Sequence, residues 1–71
     1  MQDYEIYYLS KLKETPFYKY SKLNQDMVSM LFKTSAHSRE RYVLLRLISN
    51  FATSTGHDDA SAILGAMMMN E

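Results

Sequence analysis

Pro16, Gly56 and Gly65 are the only proline and glycines in this chain, and that scarcity constrains the fold more than any other feature. A sheet built from 71 residues needs a tight turn roughly every 8–12 positions, and such turns draw on glycine and proline. Helices joined by short polar turns need few breakers. The expected fold class is all-α: a small bundle of three to four short helices with a long central helix. Residues 1–71 make a single small helical domain without repeats, linkers or low-complexity tracts.

Size then raises the question of stability. A chain this short buries a smaller fraction of its surface than a larger domain does, and it usually needs a disulfide, a metal or a partner subunit. There is no cysteine, and His37 and His57 lie twenty positions apart, a spacing that suggests neither a zinc pattern nor any other metal site. No cofactor is expected. The remaining reinforcement is association, so a homodimer is the expected state. An apolar fraction of 46% argues against disorder. No apolar run approaches bilayer length, and "MQDYEIYYLS" lacks the basic and apolar regions of a signal peptide. A cytoplasmic protein with no membrane contact is expected.

Local signals divide the chain into segments. Residues 3–14 admit two readings, because "YEIYYL" suits a strand while Tyr4, Tyr8, Leu9 and Leu12 share a face at helical spacing. The helical reading is preferred, with Pro16 closing it. Residues 23–33 place Leu23, Met27, Met30 and Leu31 in an amphipathic stripe. Ser35 or Ser38 can cap a third helix over residues 38–54, and Gly56 suits the left-handed position after it. Asp58 or Asp59 then opens a last helix, whose face is Ala60, Ile63, Leu64, Met67 and Met68.

The third helix, within "HSRERYVLLRLISNF", is the most informative. On a wheel, Val43, Leu44, Leu45, Leu47, Ile48, Phe51 and Ala52 cover roughly 200°, about twice what one neighbour hides. The expected dimer interface is therefore Leu44, Leu45, Ile48, Phe51 and Ala52. The opposite strip carries Arg39, Arg46, Ser49, Asn50 and Thr53 around Tyr42. Arg39 and Arg46 stand seven residues apart, about 10.5 Å along one face. Arginine and asparagine are the side chains that read guanine and adenine edges, and Lys33 and Arg41 could add phosphate contacts. The alternative is a solvated strip whose alkyl stems cover apolar surface. Residues 1–46 hold all eight basic residues against five acids, a balance of +3, and residues 47–71 hold three acids and no base, −3. That asymmetry can steer a partner, but it falls short of a dense nucleic-acid footprint.

The other features read as structure before chemistry. Four tyrosines within residues 4–18, interleaved with lysines, could stack single strands but more often pack at interfaces. "AMMM" completes the last apolar face, and Ala62, Gly65 and Ala66 would permit close backbone approach. "HDD" is explained by helix capping, and "SAHS" brings no oxyanion hole with it. No catalytic residue is expected, and no small-molecule substrate.

From about Asp26 onward, "DMVSMLF", the turn "KTSAHSRE", "RYVLLRLISNFATST", the acidic "HDD" and "ASAILGAMMM" follow one another. In that order they resemble the small enterobacterial biofilm and acid-resistance regulators of the AriR (YmgB) type, relatives of the connector proteins of two-component signalling. Ala52 stands where that family usually has glutamate, and a methionine-rich final helix replaces a charged one. The resemblance implies a dimeric all-α regulator in biofilm and stress responses. The expected function is thus a non-enzymatic regulatory protein acting by contact with another regulatory protein. The alternatives are a small DNA-binding regulator using Arg39, Arg46 and Asn50, or a phage- or plasmid-type inhibitor of a host protein.

Overall fold

A computed structural model describes residues 3–71. Five helices follow in order: α1 Asp3–Lys13, α2 Pro16–Tyr20, α3 Lys22–Lys33, α4 Arg39–Ser54 and α5 Asp58–Met68. No strand occurs among the described residues, so the all-α reading holds, and residues 3–13 are helical rather than extended. Among these residues no helix is long and apolar enough to cross a membrane.

Each boundary has a local cause. Asp3 and Glu5 stand in the first turn of α1 and Lys11 and Lys13 in its last, each sign at the favourable end of the helix dipole. Pro16 does not merely close α1: it sits in the first turn of α2, where its missing N–H costs nothing, and the Thr15 Oγ1 accepts from the Tyr18 N–H at 3.3 Å. This one-turn helix escapes periodicity because it is too short to show any. Ser21 ends α2 and caps α3, accepting from the Asn24 N–H at 3.1 Å. Of the two serines before α4, Ser38 is the cap, accepting from the Arg41 N–H at 3.1 Å. Gly56, at φ 81°, closes α4 as a Schellman motif: its N–H reaches the Thr53 carbonyl at 3.1 Å, and the His57 N–H reaches the Ala52 carbonyl at 2.8 Å.

All five helices contribute to one core: Leu12, Phe17, Val28 and Leu31 from the first three, then Leu45, Ile48 and Ala52 from α4 and Ala60, Leu64 and Met67 from α5. Burying each of the larger side chains contributes on the order of 1.5–3 kcal/mol. Ile63 and Met68 pack against this cluster, so the apolar face read for the last helix is the one the fold uses. The stripe read for α3 is rotated. Its buried residues are Asn24, Val28 and Leu31, whereas Leu23 and Met30 are exposed. Asn24 belongs inside because its Nδ2 donates to the Phe17 carbonyl at 2.9 Å, supplying an α2 carbonyl with the partner that so short a helix lacks. The Cα radius of gyration is 10.8 Å, close to the roughly 11 Å of a compact chain this long.

Candidate functional site

Two assemblies stand out, one buried and one exposed, and both centre on α4. The buried one is built on Arg41. Its side chain is fully inside, stacked on Phe32 with the guanidinium carbon 5.4 Å from the ring centroid. Its Nε donates to the Thr34 Oγ1 at 2.9 Å and its Nη2 to the Thr34 carbonyl at 2.7 Å. Its Nη1 donates to the Glu5 Oε2 at 3.1 Å and lies 3.9 Å from the Glu71 Oε2. Glu71 also accepts from the Tyr4 hydroxyl at 3.0 Å and from the His37 N–H at 2.6 Å. His37 adopts a left-handed φ of 63° to present that N–H, a conformation costing about 1–2 kcal/mol for a residue with a Cβ.

One arginine thus faces two buried carboxylates and ties α1, the α3–α4 turn and Glu71 together. The Tyr4 hydroxyl is pushed above its ordinary 10.0, first by desolvation, then by its hydrogen bond to Glu71 and the charges of Glu71 and Glu5, with Arg41 pulling the other way. Every buried side-chain polar atom among the described residues has a partner. The expectation that Arg41 reaches phosphate is therefore overturned: its charge is consumed inside the fold. A signal for this was present, since Arg41 lies one turn before Leu45 on the line that continues to Ile48 and Ala52.

The exposed assembly is the opposite face of α4. Arg39, Tyr42, Val43, Arg46, Leu47 and Asn50 line a shallow, open depression. The residues expected to contact nucleic acid or a partner, Arg39, Arg46 and Asn50, therefore share one surface. Val43 is 44% exposed and Leu47 59%. Neither Arg39 nor Arg46 forms an ion pair among the described residues. Val43 also borders an apolar groove toward α3, lined by Met30, Thr34, Arg39, Glu40 and Leu44.

The expected dimer set divides. Leu45, Ile48 and Ala52 lie in the chain's own core against the other helices and cannot be offered to a partner without unfolding; Leu44 is half-buried, and Phe51 stays accessible while packing edge-on to Phe17 at 6.2 Å. The apolar surface available for contact shifts about a third of a turn around α4, to Val43 and Leu47, with Met30 beside them. Sequence reasoning missed Met30 because it had assigned that side chain to the core.

The remaining features take structural places. Asp58 and Asp59 stand in the first turn of α5, and His57 packs between Phe17 and Tyr20 with its Nδ1 3.0 Å from the Thr55 Oγ1. Tyr7 and Tyr8 meet edge to face, with the Lys11 Nζ 5.5 Å from the Tyr7 centroid. A methyl added at Gly65 would meet nothing within 4 Å, so no other described segment of this chain uses the close approach that this residue permits. Among the described residues no three His, Asp or Glu side chains gather as a metal ion would require. Comparison with known protein families, curated proteins and solved structures found no match.

Proposed function

We propose that this chain is a non-enzymatic regulatory protein that works by presenting the outward face of α4 to another protein. The observation that carries this reading is the exposure of Val43 and Leu47 between Arg39, Tyr42 and Arg46. Arginine, tyrosine and large apolar side chains together are the composition enriched at protein interfaces, whereas a merely solvated helix face would carry lysine and glutamate. The order of α3, polar turn, α4 and α5 is the order implied by the resemblance to AriR-type regulators, and it supports a regulator whose partner is itself regulatory. Biofilm and stress responses rest on that resemblance alone. A phage- or plasmid-borne inhibitor would use the same face.

DNA binding is the second reading, favoured by Arg39, Arg46 and Asn50 sharing a surface with no carboxylate bonded to either arginine. Two observations weigh against it. Arg41 is unavailable, and Val43 and Leu47 would be set against phosphates that offer them nothing.

A photo-crosslinking residue in place of Leu47, with one in place of Glu14 as control, tests the proposal in cells. A discrete protein adduct at Leu47 and none at Glu14 is expected. Crosslinks only to nucleic acid, together with salt-sensitive duplex binding lost in Arg46→Ala, would transfer the function to the second reading. No adduct at Leu47 would end the first.

A further inference from the structure

We infer that the occupant of the α4 face is an amphipathic helix of another protein with a carboxylate-bearing flank, rather than a second copy of this chain. The inference rests on the protein-contact reading above and names the chemistry of the partner.

Shape supplies the first part of the argument. Val43 and Leu47 are one turn apart and form a line along α4, and Val43 is shared between the depression on one side and the Met30 groove on the other. Both side chains line the depression and Val43 also edges the groove, so a helix laid along α4 can set its apolar side chains into the two hollows, knobs against holes.

Charge supplies the second part. Arg46 and Asn50 lie on one side of that line, and Glu40 and Leu44 on the side toward α3. Arg39 and Arg46 are seven residues apart, two helical turns, so carboxylates repeating at the same interval on a partner helix would meet both guanidinium groups.

A second copy paired α4 against α4 does not supply those carboxylates. Across a two-fold axis perpendicular to paired antiparallel helices, each flank meets the same flank of its mate, which sets Arg46 and Arg39 against the arginines of the second copy. Pairing the helices in parallel brings one acid, Glu40, to two arginines. Like charges across an interface oppose that pairing, and an acidic helix removes the opposition.

The test uses the full chain and a fluorescent synthetic helical peptide of about 16 residues, long enough to span the face, with a leucine seam and flanking glutamates. A twin carries lysines in place of the glutamates. At low salt the glutamate peptide is expected to bind about tenfold or more tightly than its twin, with the preference shrinking as salt rises. In the double variant Arg39→Glu/Arg46→Glu, with helicity by circular dichroism unchanged, the preference should invert toward the lysine peptide. Equal binding of the two peptides, or binding of neither, would overturn the acidic partner. Light scattering that shows a wild-type dimer dispersed by Leu47→Glu would overturn it in favour of a second copy. In the peptide outcomes a crosslink at Leu47 to a different protein still supports the broader reading, so the inference can fail while that reading stands; a crosslink only to a second copy would overturn both.

Discussion

Arg41 and Arg46 lie five residues apart on one helix and meet opposite fates, and their surroundings explain why. Arg41 points inward, where Glu5 and Glu71 balance its charge and Thr34 takes two of its donors. Replacing it with alanine would leave two buried carboxylates without a cation. Arg41→Ala should lower unfolding free energy by about 3–5 kcal/mol in urea titration, a large share of the roughly 5–15 kcal/mol available to a small domain. A loss below about 1 kcal/mol would mean that water reaches the cluster. Tyr4 gives the same site a pH signature. Its hydroxyl ionises higher in the folded chain than its ordinary 10.0, so the folded state keeps a proton that the unfolded state releases. The stabilisation is complete below pH 10 and fades as pH rises through the raised value. Wild type should therefore lose stability through that alkaline window more steeply than Tyr4→Phe, and parallel profiles would remove Tyr4 from the account.

At the scale of the element, the two glycines make opposite predictions. Gly56 occupies φ 81° at the end of α4, whereas Gly65 sits inside α5 with open space where a Cβ would go. Gly56→Ala should cost about 1 kcal/mol or somewhat more, because a left-handed position penalises a Cβ. Gly65→Ala should gain about 0.5–1 kcal/mol by restricting the unfolded chain without a clash. Urea midpoints of the two variants should move in opposite directions; a shift in the same direction would contradict one of the two backbone assignments. The helices were mostly legible because their signals are local: a serine cap before α4, a glycine after it, acids opening α5. The one-turn α2 was illegible for the converse reason. Five residues carry no period, and only the Asn24 bond to the Phe17 carbonyl shows how its end is satisfied.

For the whole molecule, the distinction that matters is between neighbours on α4. Ile48 is 4% exposed and Leu47 59%. Ile48→Asp puts an unpaired charge in the core and should abolish the cooperative melt seen by circular dichroism. Leu47→Asp should stay within about 1 kcal/mol of wild type while losing binding, in a pull-down, to the partner identified by crosslinking at that position. If both unfold the chain, the outward face is not outward. The wide apolar arc of α4 first pointed to a homodimer. Inside the fold, Leu45, Ile48 and Ala52 are covered by the chain's own helices, which leaves a narrower strip to explain. An acidic-helix partner predicts a melting temperature independent of protein concentration, and a rise with concentration would restore the dimer.

What the sequence determined by itself was the set of long helices, a serine cap before α4 and the left-handed close of α4, because each depends on hydrogen bonds and backbone preferences spanning only a few residues. What only the tertiary structure decided was which way each helix faces. A helix apolar around more than half its circumference has no unique inner side until its neighbours are placed. The packing of α4 against the rest of the bundle turned Leu45, Ile48 and Ala52 inward and left Val43 and Leu47 out. The same holds for α3, where Leu31 is buried and Met27 packs against the core, while Leu23 and Met30 gave way to Asn24 and Val28. Arg41 shows the limit most sharply. Its place on the inner line of α4 is local, but its counter-charges are Glu5, 36 positions earlier, and Glu71, and no local pattern records that segments so far apart in sequence will bring two carboxylates to one guanidinium.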